Sequence, residues 1–475
     1  MPPSLSAPPR ALLDRLLDTP ATRIHMMGAG GIGMAGLAYL LSARGHRVTG
    51  CDAGAPRTLA WLRANGVPAA TGHDPAHLDA ADWAVYSPAL APTHPERAAA
   101  AARGIPLFRR GDVLAALAAR HKTLAVAGTH GKTTTSAMLA HILRACGASP
   151  SWCIGGELPP DGAPAGAGTS PWLVVEADES DGSLAGYAPF LALVTNIEYD
   201  HMEHFDGPEG LVDCFRRFLA QAAGPVLVCA DDPAAARLGR ERGAATYGLS
   251  PSADWRATDL HPSPAGTRFT LLPPGGAAPV EVAVPLPGPH NVLDATGAIA
   301  AAATACAVPP AAAARAIAAY RPPRRRFETI ADARGIRIVG DYAHHPTEIR
   351  ALLSAVRQAG ASRILALFQP HRYTRTLALG PDFPPAFRGA ARVLLLPVYA
   401  ASEPPLPGGT SADLLERFRA DPGAPPTDLC PDFPSALRLL PALWQPGDWV
   451  LLVGAGDIET LGPPLRALLE ESPVP

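Results

Sequence analysis

The 475-residue sequence predicts an α/β protein built on open, mostly parallel sheets, and three observations carry that prediction. Strand-like and helix-like segments alternate along nearly the whole chain, which is the grammar of repeated strand–helix units. Several strand segments are continuous apolar runs, among them Lys122–Ala127, Arg363–Phe368 and Asp448–Val453, as strands buried on both faces require. The length, at roughly 100–200 residues per domain, accommodates two to four domains.

Three blocks follow one another. In the first, about residues 20–118, Arg23–Met27 reads as a strand, GAGGIGMAG as a turn and Ala35–Ala43 as a helix, with further strands at Gly45–Cys51 and Trp83–Ser87. The second opens with the buried strand Lys122–Ala127. Gly128–Thr133 then leads into a helix whose apolar Met138, Leu139, Ile142 and Leu143 recur at helical spacing before Gly147 closes it. Strands Trp172–Val175 and Phe190–Thr195 come next. Residues 159–171 and 262–289 are rich in proline and glycine and are expected as loops or short hairpins. Ala298–Val308 is apolar but is stopped by Pro309-Pro310 and Arg315, too short to span a bilayer, and reads as a buried helix. Arg321–Arg325 is a linker. In the third block Ile336–Asp341 is a strand, and Pro346 starts a helix carrying Ile349, Leu352, Leu353 and Val356, which Gly360 ends. Arg363–Phe368, Arg392–Val398 and Asp448–Val453 complete it as buried parallel strands.

Composition excludes several classes of function. With 48% apolar and 17% charged residues the chain forms cores and is not disordered. A net charge of −3 excludes the strongly basic surface that bulk nucleic-acid or anionic-membrane binding needs. Seven cysteines, an odd number with no C-x-x-C pair, argue against a disulfide framework or a zinc site and fit a reducing compartment. Asp14, Arg15 and Asp18 interrupt the N-terminal region, so no secretory signal is read there. The expectation is a soluble cytoplasmic protein, a monomer or weak dimer.

The chemistry-bearing motifs fall where strands end. Gly28, Gly30, Gly31 and Gly33, with Ile32, follow a strand and open a helix, and Asp52 lies 19 residues past Gly33. Glycines there let backbone approach a pyrophosphate, and the helix N-terminus offers N–H groups to it. Any nucleotide diphosphate would fit, and a plain tight turn would use the same glycines. Gly128-Thr129-His130-Gly131-Lys132-Thr133-Thr134 has the form of a triphosphate loop, with Lys132 reaching β/γ oxygens and the Thr133 hydroxyl suited to Mg²⁺. Val126 stands where the standard loop has its first glycine. Only Lys122 and Lys132 are lysine, so a lysine at this position stands out. Glu176, Asp178 and Asp181 at one strand end and Asp200 and His201 after another form a candidate metal cluster. His290-Asn291-Val-Leu-Asp294 starts the alanine-rich helix, as a ligand contact or as a simple cap. Asp341-Tyr342-Ala-His344-His345-Pro346 and Gln369-Pro370-His371-Arg372-Tyr373-Thr374-Arg375 each follow a strand, and guanidinium forks there suit a carboxylate or phosphate. Gly454-Ala-Gly456-Asp457 is a turn or a further contact.

Taken in order, HMMGAGGIGMAGLA, AGTHGKTTT, VVEADESD, TNIEYDHMEHF, HNVLDATGAIAAA, RRRFE, GDYAHHPTEIRA and FQPHRYTRT resemble the Mur ligases, over about residues 23–465. The resemblance implies a Rossmann-like N-terminal domain for a UDP-sugar (1–118), a P-loop-type central ATPase domain with a mostly parallel sheet (119–322) and a Rossmann-like C-terminal domain for an amino acid (323–475). It implies ATP and two Mg²⁺ ions, with UDP-N-acetylmuramate and L-alanine joined through an acyl phosphate. FQPHRYTRT separates this branch from the alternative, a ligase recycling a preformed murein tripeptide. By the resemblance Lys132, Glu176, His201, Arg326, Asp341 and His344 are catalytic, and Thr133, Glu176 and His201 hold metal. Residues 128–134 with Asn291 and Asp294 take ATP; Gly28, Gly30–Gly33, Asp52, His73 and Ser87 take the UDP-sugar. Tyr342, His344, His371, Arg372 and Arg375 surround the amino acid. The family's second Asn is Asp294 here, which removes an amide donor, and Pro88 and Ala91–His94 also depart from its pattern.

Overall fold

A computed structural model describes residues 9–180, 182–199, 205 and 207–471 of the chain. Among the described residues the strands form three sheets, of five, ten and six strands, so the expected three-domain α/β architecture is the one observed.

The first sheet runs in the order Ala69–Thr71, Arg47–Asp52, Arg23–Met27, Trp83–Tyr86, Leu107–Arg109. Every pairing in it is parallel. The order reverses at Arg23–Met27, and a ligand crevice of such a sheet lies at that switch point, beyond the carboxyl ends. In the central sheet Lys122–Ala127 lies between Leu191–Val194 and Trp172–Glu176, with Val126 opposite Glu176 and Ala127 opposite Val194. That register brings Gly128, Glu176 and Thr195 to one edge. The third sheet sets Ile336–Asp341, Asp448–Val453, Arg363–Phe368 and Arg392–Leu395 side by side in parallel, so Asp341, Val453, Phe368 and Leu395 end together.

The two Pro/Gly-rich segments, expected as loops or short hairpins, carry strands. Ala163–Gly166 pairs antiparallel with Ser151–Leu158 at one edge of the central sheet, and Gly266–Leu272 and Val280–Val284 extend the other. Edge strands tolerate proline and glycine because one side of the ladder is unpaired, which hides them from a composition-based reading.

The chain divides into two compact units: residues up to Asp259 with Phe269–Ala283 and Leu293–Pro323, and Leu260–Arg268 with Val284–Val292 and Arg324 onward. In the first unit one apolar core runs without a break from Leu13 and Leu17, through Ile24, Leu37 and Trp83, to Ala125, Val175, Val194 and Phe215. The N-terminal sheet therefore shares a core with the central one. In the second unit, apolar layers centred on Phe368, Val393 and Leu451, and on Ile338, Leu367 and Leu452, cover the two faces of the third sheet. Among the described residues no helix is long and apolar enough to cross a membrane.

The shared core depends on close approach of the helix Ile32–Ala43 to the edge hairpin. A Cβ on Gly36 would lie 2.9 Å from Cys153 Sγ and 3.4 Å from Ala165 Cβ. Replacing Gly36 by valine should destabilise the first unit by about 1–3 kcal/mol through overpacking, outweighing the gain in helix propensity. Thermal unfolding of Gly36→Val beside the parent measures it; an unchanged midpoint would show that the interface yields.

Candidate functional site

At the first switch point the chain turns through Gly28, whose φ of +78° favours glycine. The Cys51 carbonyl accepts the N–H groups of Gly28 and Ala29 at 2.9 and 2.8 Å. Asp52 points back into the same turn, accepting from the Gly30 N–H at 2.9 Å and the Gly54 N–H at 3.3 Å. A Cβ on Gly30 would lie 2.8 Å from that carboxylate, and one on Gly28 would lie 3.0 Å from Ser87 Cβ. Gly31 is the N-cap of the helix that begins at Ile32, and no side chain caps it. The helix end thus presents backbone donors of the kind a pyrophosphate takes. Gly33 carries the Arg110 guanidinium against it, 2.9 Å from where a Cβ would be. His73 lies beneath this turn, its Nδ1 3.2 Å from Cys51 Sγ and 2.9 Å from Glu96 Oε2.

In the central sheet the loop 128–131 is clamped by the end of the neighbouring strand. Thr129 N–H donates to the Asn196 carbonyl at 3.0 Å, His130 N–H donates to Asn196 Oδ1 at 2.8 Å, and the Thr195 hydroxyl donates to the His130 carbonyl at 2.6 Å. His130 Nε2 lies 2.8 Å from Glu198 Oε2. A Cβ on Gly128 would overlap Thr195 Oγ1, so only glycine fits there. Gly131, at φ +81°, caps the helix Lys132–Ala145 without a side-chain partner. Thr134 is buried in the first turn of that helix. Asp294 accepts from the Thr135 hydroxyl at 2.9 Å, and a Cβ on Gly131 would lie 2.6 Å from its Oδ1. The carboxylate that replaces the expected amide thus buttresses the loop from behind.

Lys132 is curled over this loop, its side chain 11% exposed. Its ammonium donates to the Gly128 carbonyl at 2.6 Å, the Thr129 carbonyl at 3.1 Å and Glu179 Oε2 at 3.0 Å, with Asp178 at 3.8 Å. Burial opposes a charge there, but Glu179, Asp178 and Glu176 outweigh it and hold the amine well above its ordinary range. Glu179 is itself fully buried, and burial pushes its carboxyl up, to about 7, against the pull of Lys132. Glu176 accepts from the Thr133 hydroxyl at 2.9 Å and from the Gly155 N–H at 2.7 Å. The Thr133 hydroxyl and Glu176 carboxylate form an all-oxygen pair at a helix start beside a phosphate loop, the donor chemistry that suits Mg²⁺. His201, with Asp181 and Asp200, lies outside the described residues. Glu179 and Asn196 carry much of this arrangement; in sequence Asn196 stands only beside the candidate metal residues Asp200 and His201, and Glu179 has no motif position of its own. The scarcity of lysine was the available signal, because a buried ammonium needs a buried partner.

In the second unit Asp341 ends its strand, accepting the N–H groups of Phe327 at 2.9 Å and Ala343 at 2.8 Å. Burial raises its carboxyl pKa, opposed by the Arg326 guanidinium. Arg325 and Arg326 lie over the Tyr342 ring at 4.7 and 5.0 Å. Arg325 also donates to the carbonyls of Gly454 and Gly456 at 2.7 and 2.8 Å, so the last glycine turn is a guanidinium seat. His344 stands edge-on to Tyr342, with ring centroids 5.5 Å apart, and 5.8 Å from the His371 ring. His371 stacks on Tyr399 and accepts from Arg375 at Nδ1, 3.1 Å away. Arg372 occupies φ +66°, with its N–H on the Tyr399 carbonyl at 2.8 Å. Asn291, at the start of the helix Pro289–Cys306, donates its amide to the Pro287 carbonyl at 2.7 Å.

Burial, then His344 and the arginines 375, 372 and 325, push the His371 imidazole down to about 3. The folded ring is neutral while the unfolded chain takes up a proton near pH 6.5, so stability is present above that pH and is lost on acidification towards the folded value. Between pH 6.5 and 5 this loss should amount to about 1–2 kcal/mol. Denaturant unfolding at the two pH values should show a shallower loss in His371→Asn; equal losses would remove His371 from the account.

Residues 23–122 match the model described as "Mur ligase family, catalytic domain", residues 126–302 "Mur ligase middle domain", and residues 325–456 "Mur ligase, glutamate ligase domain". A protein of Kineococcus radiotolerans named UDP-N-acetylmuramate--L-alanine ligase is 44% identical, covering 94% of this chain and 96% of that protein. One of the same name from Acidothermus cellulolyticus is 41% identical, covering 93% and 94%. The solved UDP-N-acetylmuramate-alanine ligase of Thermotoga maritima superposes with a TM-score of 0.80 at 26% identity, covering 95% of this chain and all of that one. Three family matches in succession along the chain, with relatives above 40% identity over more than nine-tenths of it, establish that the chain belongs to the Mur ligase family.

Proposed function

We propose that this chain joins L-alanine to the lactoyl carboxylate of UDP-N-acetylmuramate at the expense of ATP, in the cytoplasm, as a step in making peptidoglycan precursor. The observation that carries the reading is a lysine-bearing phosphate loop, its ammonium paired with the buried Glu179, in a chain over 40% identical to relatives of that name. The domain assignment that goes with it is residues 1–118 for the UDP-sugar, 119–322 for ATP and 323–475 for the amino acid.

In the first step the carboxylate oxygen bonds to the γ-phosphorus of ATP and the bond to the β-phosphate oxygen breaks, giving an acyl phosphate and ADP. Two anions must meet, so the charge of Lys132 belongs at the transferring group. Its present partners, Glu179 and the loop carbonyls, hold that ammonium charged until phosphate oxygens compete for it. A Mg²⁺ ion held by Thr133 and Glu176 would neutralise phosphate oxygens, with His201 assigned to a second ion. Asn291 is assigned to the adenosine side. In the second step the alanine amine attacks the acyl carbon, and the tetrahedral adduct expels phosphate. Arg375 and Arg372 suit the alanine carboxylate. His344 Nδ1 faces the Tyr342 carbonyl at 3.0 Å and so carries the ring proton, which makes Nε2 the side that takes the proton of the alanine ammonium. Arg326, with Asp341 beside it, supports the developing charge.

Phosphate release from ATP and Mg²⁺ should need both UDP-N-acetylmuramate and L-alanine. Release with the murein tripeptide in place of alanine would move the chain to the recycling branch. Lys132→Ala should lower kcat by on the order of 10³-fold while UDP-sugar binding, read by calorimetry, survives. Undiminished turnover in that variant would refute the site.

A further inference from the structure

Under the first glycine turn, side chains from two strands, a short turn and a helix converge on one buried carboxylate. Glu96, in the first turn of the helix Pro95–Ala102, is 0% exposed. Its Oε1 lies 2.8 Å from His77 Nδ1, 3.2 Å from Cys51 Sγ and 3.6 Å from His25 Nε2. His25 Nε2 is 3.3 Å from Cys51 Sγ. The other Glu96 oxygen lies 2.9 Å from His73 Nδ1 and 3.1 Å from Cys51 Sγ. Among the described residues the ion-pair partners of Glu96 are histidines, with no lysine or arginine at ion-pair distance. His25, Cys51, His77 and Glu96 have no part in the reaction proposed above.

We propose that His25, Cys51, His77 and Glu96 form a four-ligand site for a zinc-class divalent cation, which ties the strands beneath the glycine turn to the helix Pro95–Ala102. Four ligand atoms at about 2.0–2.3 Å from a tetrahedral ion are about 3.3–3.8 Å apart. Four of the six edges, given above, are 2.8–3.6 Å, and all four ligand atoms lie within 4.8 Å of one another, so a bound ion would spread the Glu96–His77 pair most. Charge also balances. A thiolate and a carboxylate cancel the +2, and two neutral imidazoles add nothing, so no net charge enters the core.

The ligand atoms are set up by their neighbours. His25 pairs in register with Thr49, and Cys51, two residues on, projects to the same side of the sheet. The Thr49 hydroxyl donates to the Ile24 carbonyl at 3.4 Å and so accepts from His25 Nδ1 at 3.0 Å. Nδ1 then carries the ring proton, and Nε2 turns its lone pair to the cluster. His73, on the far carboxylate oxygen, orients Glu96. A cation bound to the Cys51 sulfur takes the place of the thiol proton, so uptake of the ion releases one proton. Thiolate and imidazole select zinc-like ions over Mg²⁺, so the ions of the ligation reaction do not compete. On the proposed reading of the turn as the UDP-sugar site, the ion would stiffen it through Cys51, whose carbonyl holds Gly28 and Ala29.

The test uses the full chain, reduced and stripped with a chelator. Titration with Zn²⁺ against a chromophoric chelator should show one tight equivalent and a rise in Tm. Co²⁺ in its place should give tetrahedral d–d bands and a thiolate-to-cobalt charge-transfer band. Cys51→Ser should lose the charge-transfer band, while Cys146→Ser, at an exposed cysteine, keeps it. His77→Asn, at a partly exposed position, should weaken Zn²⁺ binding at least about tenfold and serves if Cys51→Ser does not fold. No stoichiometric uptake, or a cobalt spectrum unchanged in Cys51→Ser and His77→Asn, would overturn the proposal. These readouts need no turnover, so failure of the metal site and failure of the ligase reading are separable.

Discussion

A parallel strand buried on both faces has one place for polar chemistry, the carboxyl end where its ladder stops and a helix begins. All three sheets of this chain obey that constraint. Met27 gives way to Gly28, Ala127 to Gly128, Val175 to Glu176 and Gly340 to Asp341, each at the end of a buried run. Strand order then decides which ends are neighbours. Lys122–Ala127 lies between Leu191–Val194 and Trp172–Glu176, so a phosphate loop, its clamp and a carboxylate meet without any being close in sequence. Moving one register by a residue would turn Glu176 away from Thr133.

Within the loop, charge is handled by pairing rather than by exposure. Lys132 is compensated by Glu179 from a different strand end, and Glu176 is satisfied by a hydroxyl and a backbone N–H. The loop is therefore electrostatically complete as it stands, and a triphosphate would exchange partners with it instead of meeting a bare cation. Asp294 fits the same scheme. The carboxylate at that position accepts from Thr135 and packs against the glycine that begins the helix.

The second unit applies the same logic to arginine. Arg325 spans from the Tyr342 face to the carbonyls of Gly454 and Gly456 and so ties together the ends of the neighbouring strands Ile336–Asp341 and Asp448–Val453. His371 is kept neutral by burial and by the positive groups around it, which leaves its Nδ1 as an acceptor for Arg375. A turn that reads in sequence as glycine punctuation is, in three dimensions, a pair of carbonyls aimed at a guanidinium.

Local pattern was enough for the class of fold, about half of the strands and the glycine turns. Apolar runs, helical spacing and glycine stops are properties of neighbouring residues, and the helices Lys132–Ala145 and Pro346–Gln358 lie where that spacing puts them. The order of motifs was likewise legible, since it needs no geometry. The edge hairpins were legible only as loops or hairpins, because proline and glycine suit both. Glu179, Asn196 and the cluster around Glu96 were not legible. Cysteine spacing alone argued against a zinc site, yet the sheet sets Cys51 beside His25, 26 residues away in the chain, and both beside Glu96. Such convergence follows from strand order and register, which the packing of crossover helices decides over the whole unit and no short window of sequence contains.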